Sequence, residues 1–94
     1  MARQFVVIVY DISDDRRRSR LHRMLLDFGT PVQFSVFECW LTAEELATAV
    51  TRMRRVSRPR KDHVRWYRFC ATCAAMVSST EAGERTSVED IIVV

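Results

Sequence analysis

The sequence predicts one α+β domain spanning residues 1–94, and three observations carry that expectation. Short β-rich apolar runs alternate with two amphipathic helical patterns, in the order β-α-β-β-α-β. Each helical pattern opens on a capping signal and ends at a glycine or proline. Hydrophobic residues make up 48% of the chain, enough for one core and too many for a disordered segment. The order is that of a ferredoxin-like sandwich, with strands one and three central and one extra strand at the C-terminus.

Residues 5–10 (FVVIVY) read as the first strand, being short, β-branched and aromatic. They are apolar throughout, as a central strand covered on both faces would be. Asp11 stands where the strand runs out. Helix one is expected over residues 14–28, with Ser13 as N-cap and Asp14 and Asp15 at the positive end of the dipole. Leu21, Met24, Leu25 and Phe28 form its apolar stripe. Gly29 is the expected C-cap, and Pro31 blocks continuation.

Residues 32–41 (VQFSVFECWL) are β-rich and long enough for two short strands or one bent strand, with a kink near Ser35. Thr42-Ala43-Glu44-Glu45 is a capping box opening helix two, whose core face carries Leu46, Val50 and Met53. Pro59 ends it. A strand is expected at 64–69 (VRWYRF), a connector at 70–75, a short strand at 76–79, a loop at 81–87 and a final strand at 88–94. An unpaired apolar edge strand invites aggregation, so the last is expected to pair, with another protomer's sheet as a candidate partner.

The net charge of +3 is unevenly spread. Residues 1–68 hold fourteen basic and eight acidic side chains; residues 69–94 hold one and four. Five arginines fall within residues 16–23. At 100° per residue, Arg16, Arg20 and Arg23 lie opposite the apolar stripe, Arg18 flanks it, and Arg17 sits on its edge near Asp11. A second basic cluster comprises Arg52, Arg54, Arg55, Arg58, Arg60 and Lys61. Both clusters have two readings, solvated helix surface or phosphate-binding surface. Arg16, Arg17, Arg20, Arg23, Arg52 and Arg55 are the candidate nucleic-acid ligands. Asp11 likewise has two readings, a turn residue bonding nearby backbone N–H groups or a carboxylate holding a hard divalent cation.

Other chemistries lack their motifs. The two glycines form no phosphate loop, H-E-x-x-H is absent, and no Ser–His–Asp set can be assembled. The aromatic signature of an RNA-recognition motif is missing. His22 and His63 are isolated and read as structural or surface residues. Cys70-x-x-Cys73 supplies two of the four ligands a structural zinc needs, and reduced thiols are the preferred reading. Three cysteines without a secretion signal make a disulfide framework unexpected, and no apolar run spans a membrane, so a cytoplasmic protein is expected.

Y-D-I-S-D-D followed by arginines, then G-T-x-V-Q-x-S-V-F-E-C, resembles the CRISPR-associated protein 2 family, the small subunits of the spacer-acquisition machinery. The likeness is close over residues 6–41 and continues through VRWYRF to the C-terminal E-D and apolar run. It implies a ferredoxin-like homodimer, with residues 88–94 packing on the partner's sheet. It also implies metal-dependent endonuclease activity, as some members are endoribonucleases or double-strand deoxyribonucleases. The family's catalytic positions fall on Asp11, Tyr10, Arg18, Arg20 and Phe37. Two Asp11 side chains across the dimer axis would share one Mg²⁺. One position departs: many members carry arginine just before V-Q, where this chain has Pro31. The family's other role, bridging the integrase subunit and holding duplex DNA, needs no such arginine. An RNA-binding or toxin-like regulatory module, preferring single-stranded RNA, is the alternative.

Overall fold

The structure is a computed structural model that describes residues 2–76, apart from the Ala71 side chain. The expected loop at 81–87 and strand at 88–94 lie outside the described residues.

Among the described residues four strands form one antiparallel sheet: β1 (Arg3–Asp11), β2 (Gly29–Gln33), β3 (Val36–Thr42) and β4 (His63–Phe69), ordered β2-β3-β1-β4. The expected central pair, β1 and β3, is observed. Phe5 lies opposite Trp40 and Ile8 opposite Phe37, while Asp11 lies opposite His63 on the other side. Helices α1 (Asp15–Leu25) and α2 (Ala43–Val56) follow β1 and β3.

Strand alternation divides the side chains between two faces. Val6, Ile8, Tyr10, Phe37, Cys39 and Leu41 point toward the helices and pack against Leu21, Leu25, Leu46 and Met53. Val64 and Trp66 of β4 close this core from the side. Burial pushes the Cys39 thiol up to about 12, helped by the neighbouring Glu38 carboxylate. The opposite face is more open. Val7, Val36, Trp40 and Phe69 are half-buried there, and Val9 and Tyr67 are exposed.

Several boundaries differ from the sequence reading. The N-cap of α1 is Asp14 rather than Ser13: its Oδ2 accepts the Arg17 N–H at 2.9 Å, a bond only the residue just before the first turn can make. α1 ends at Leu25, where the chain tightens into i→i+3 bonds, Asp27 N–H to Met24 O and Phe28 N–H to Leu25 O. Gly29 is therefore no helix cap but the first residue of β2. A Cβ there would collide with Cys39 Sγ and the Glu38 carbonyl oxygen, so the close approach of β2 to β3 requires glycine.

β2 starts earlier than expected and contains Pro31. It is an edge strand with a register irregularity between Pro31 and Gln33, the setting in which a strand tolerates proline. The kink expected near Ser35 is a turn between two strands, with Ser35 at φ 79°. The Ser35 carbonyl accepts the Tyr10 N–H at 3.1 Å, which ties the turn to β1.

The capping box of α2 is present: Thr42 Oγ1 accepts the Glu45 N–H at 3.1 Å, and Glu45 Oε1 accepts the Thr42 N–H at 2.8 Å. Instead of a connector, residues 71–74 form a short helix, α3 (Ala71–Ala74), which seats Ala74 on Phe5 against the face opposite α1 and α2. Met76 sits in the following turn, so the strand expected at 76–79 does not begin there; residues 77–79 lie outside the described residues.

Candidate nucleic-acid interface

Tyr10 and Asp11 are consecutive at the end of a strand, so their side chains leave the sheet on opposite faces. Asp11 is exposed on the open face, at a shallow groove of about 370 Å³ that it shares with Val9, Tyr10, His63, Arg65 and Tyr67. Arg65 supplies a cation beside the carboxylate. Among the described residues no group of three or more His, Cys, Asp or Glu side chains is arranged to hold a metal ion. Magnesium takes six oxygen ligands and keeps several waters. The described residues offer it one carboxylate here, which fits an ion completed by water, phosphate oxygens or a second copy, and not a closed cage of described side chains.

Tyr10 faces the helices. Its hydroxyl lies 3.2 Å from His22 Nδ1, and burial raises its pKa while Arg18 opposes the rise. Phe37 is fully buried beneath them, its ring 5.1 Å from the His22 ring and 6.3 Å from the Tyr10 ring. Phe37 thus fixes the positions of Tyr10 and His22 from below and does not face solvent. In the sequence His22 reads as an isolated structural or surface residue, because its partner is brought in by the fold.

The arginines of α1 divide into two sets. Arg17 makes a two-pronged ion pair with Asp62, Nε to Oδ2 at 2.8 Å and Nη2 to Oδ1 at 3.1 Å, which commits its guanidinium inside the protein. Arg18 pairs with Asp15, donates to the Ile12 carbonyl at 2.9 Å, and lies over the Phe34 ring, 5.7 Å from its centre. Arg16, Arg20 and Arg23 are exposed, take part in none of the ion pairs among the described residues, and line one shallow groove with Asp15 and Ser19. On α2, Arg52 reaches Asp27 at 3.5 Å and lies over the Phe28 ring, while exposed Arg55 shares a separate groove with it. The structure therefore brings Arg16, Arg20 and Arg23 together, leaves Arg52 and Arg55 on another helix, and turns Arg17 inward. Pro31, at the family's arginine position, is exposed and carries no charge.

Phe34 is the other residue that the sequence reading passed over. It is 84% exposed at the β2–β3 turn and rims a pocket of about 500 Å³. A large apolar residue at the centre of a predicted kink was the available signal. Cys70 immediately precedes α3 and Cys73 lies within it, both exposed; the Cys73 N–H lowers the Cys70 thiol, and Cys70 in turn raises that of Cys73.

Among the described residues no helix is long and apolar enough to cross a membrane. The profile of the family described as CRISPR associated protein Cas2 matches residues 4–77. A protein of Mycobacterium tuberculosis named CRISPR-associated endoribonuclease Cas2 is 37% identical over 92 residues, covering 98% of this chain and 79% of its own length. One of Chloroflexus aurantiacus, named CRISPR-associated endoribonuclease Cas2 3, is 41% identical over 67 residues, 71% of this chain and 72% of its own. A crystal structure of a hypothetical protein from Thermus thermophilus superposes with a TM-score of 0.71 at 36% identity, over 73% of this chain and 84% of that one. The crystal structure of Streptococcus pyogenes Cas2 gives 0.72 over 82% of this chain and 99% of that one; at 24% identity it matches the fold alone. On the profile, which spans most of the sequence, and on these identities, the chain belongs to the CRISPR associated protein Cas2 family.

Proposed function

We propose that this chain is a spacer-acquisition subunit that holds duplex DNA as a homodimer and bridges the integrase subunit. The observation that supports this reading is the exposed stripe of Arg16, Arg20 and Arg23, which no ion pair among the described residues occupies. Guanidinium groups on one helix face suit successive phosphates. The open sheet face, with Val9 and Tyr67 exposed and Trp40 and Phe69 half-buried, is the surface a second copy would cover.

A second reading adds chemistry at Asp11, favoured by its exposed place at the end of a rigid strand and by the endoribonuclease names of the relatives. Mg²⁺ bound there would lower the pKa of a water and neutralise charge on a phosphodiester. Asp11 would hold the ion and Arg65 would lie beside the phosphate. The Tyr10 hydroxyl lies against His22 on the helix side of the sheet, so Tyr10 would position the strand end that carries Asp11.

Cleavage and binding of single-stranded RNA and duplex DNA, with Mg²⁺ or with chelator, separate the readings. If Asp11 holds a catalytic ion, Asp11→Ala abolishes metal-dependent cutting and leaves binding intact. Duplex binding that is equal in both proteins, with no cutting by either, leaves the architectural role alone. Wild-type protein that binds neither nucleic acid overturns both.

A further inference from the structure

The arginine groove on α1 does not end at Arg23. Ser19 and Arg23 line it from one side and also line the 500 Å³ pocket from the other, so the two depressions share a rim. Beyond that rim the pocket changes character. Its floor is Tyr10 and His22, locked together by the 3.2 Å contact and supported by the buried Phe37 ring. Its outer wall is Phe34, with 84% of its surface in solvent. One face of that ring is backed by the Arg18 guanidinium, itself fixed by Asp15 and the Ile12 carbonyl.

Among the described residues, the contacts that hold the turn do not require a phenylalanine at this place. The turn needs a residue at Ser35 that adopts φ 79°, and it is anchored by the Tyr10 N–H; neither contact uses the Phe34 side chain. A pre-positioned aromatic ring, backed by a cation, beside a row of phosphate-sized cationic sites is the arrangement that stacks a nucleobase. A duplex keeps its bases paired and could use only the arginine groove. A single strand tracking Arg16, Arg20 and Arg23 has a base free to turn across the Ser19–Arg23 rim. A cavity of this size lies in the range that small ligands fill.

We propose that the pocket bounded by Phe34, Arg18, Tyr10 and His22 receives one unpaired nucleobase of a strand whose phosphates lie along Arg16, Arg20 and Arg23. The proposal rests on the nucleic-acid reading above and deepens it: the same surface grips any backbone, and the pocket adds a preference for single-stranded segments, such as an overhang or an RNA loop.

The test is fluorescence anisotropy with a single-stranded oligonucleotide and a duplex of equal length, on the whole protein. Phe34→Ala is expected to weaken single-strand binding about tenfold, the effect of losing one stacked base, with duplex affinity unchanged. Phe34→Tyr, which keeps the ring, is expected to restore it. A 2-aminopurine base in the strand should be quenched by wild type and not by Phe34→Ala. Single-strand affinity equal in wild type and Phe34→Ala, or an equal loss for both ligands, overturns the pocket and leaves the arginine stripe standing. Wild-type protein that binds neither ligand overturns both.

Discussion

At the scale of single residues, Asp62 organises more than its place in a loop suggests. Its carboxylate is buried, takes both prongs of Arg17, and accepts the Arg58 N–H at 2.8 Å. It thereby joins the start of α1 to the loop after α2, across 45 residues of sequence. The Arg17 guanidinium, aided by the Arg58 N–H, holds the carboxyl below its usual range against the effect of burial. The folded state therefore binds this proton more weakly than the unfolded chain. The resulting stability is complete above the ordinary carboxylate range, roughly pH 4, and is lost as pH falls from there through the lowered folded value. Asp62→Asn should lower the melting temperature at pH 7 by roughly 4–8 °C. It should also flatten the loss of stability between pH 4 and pH 2, measured by urea denaturation at each pH. None of this was legible in the sequence, where Arg17 was one cation in a run of five and its partner lay far downstream. Arg16, Arg20 and Arg23 were legible, because helical periodicity alone places them opposite the apolar stripe.

At the scale of elements, local chemistry decided how much could be read. The capping box of α2 was visible in four letters, since both of its hydrogen bonds are made within one turn. Thr42→Ala removes one of them and should cost about 1 kcal/mol, seen as a lower urea midpoint with an unchanged slope. The end of α1 was misread because Phe28 continues the helical period, yet it reaches the core from a tightened turn rather than from another turn of helix. Gly29 looked like a cap because glycine suits helix ends. Its actual constraint is the approach of β2 to Cys39 and Glu38, a tertiary contact that a local pattern does not announce. The β2–β3 turn was foreseen as a kink at Ser35, while its role in presenting Phe34 beside α1 depends on the bond from Tyr10 of β1, the strand next to β3 in the sheet and far from it in sequence.

At the scale of the whole molecule, the sheet order followed from the element order and from the uniformly apolar first strand. Charge was equally legible: the excess cations lie in the first two thirds of the chain, and the structure gathers three of them on the outer face of α1. Binding through such a surface releases counterions. Replacing Arg16, Arg20 and Arg23 together by alanine should weaken duplex binding and reduce the slope of log affinity against log salt by roughly 3. An unchanged slope would place the DNA elsewhere.

The burial of Cys39 in the middle of β3 has a practical consequence. Its thiol is out of reach and protonated at neutral pH, whereas Cys70 and Cys73 are exposed and one of them is made more acidic by its neighbour. A maleimide added to the native protein should take up two equivalents within minutes. The third is admitted only when the sheet opens. Mass spectrometry of that slow third adduct therefore counts unfolding events directly, so the molecule carries a clock for its own opening rate without any added probe site.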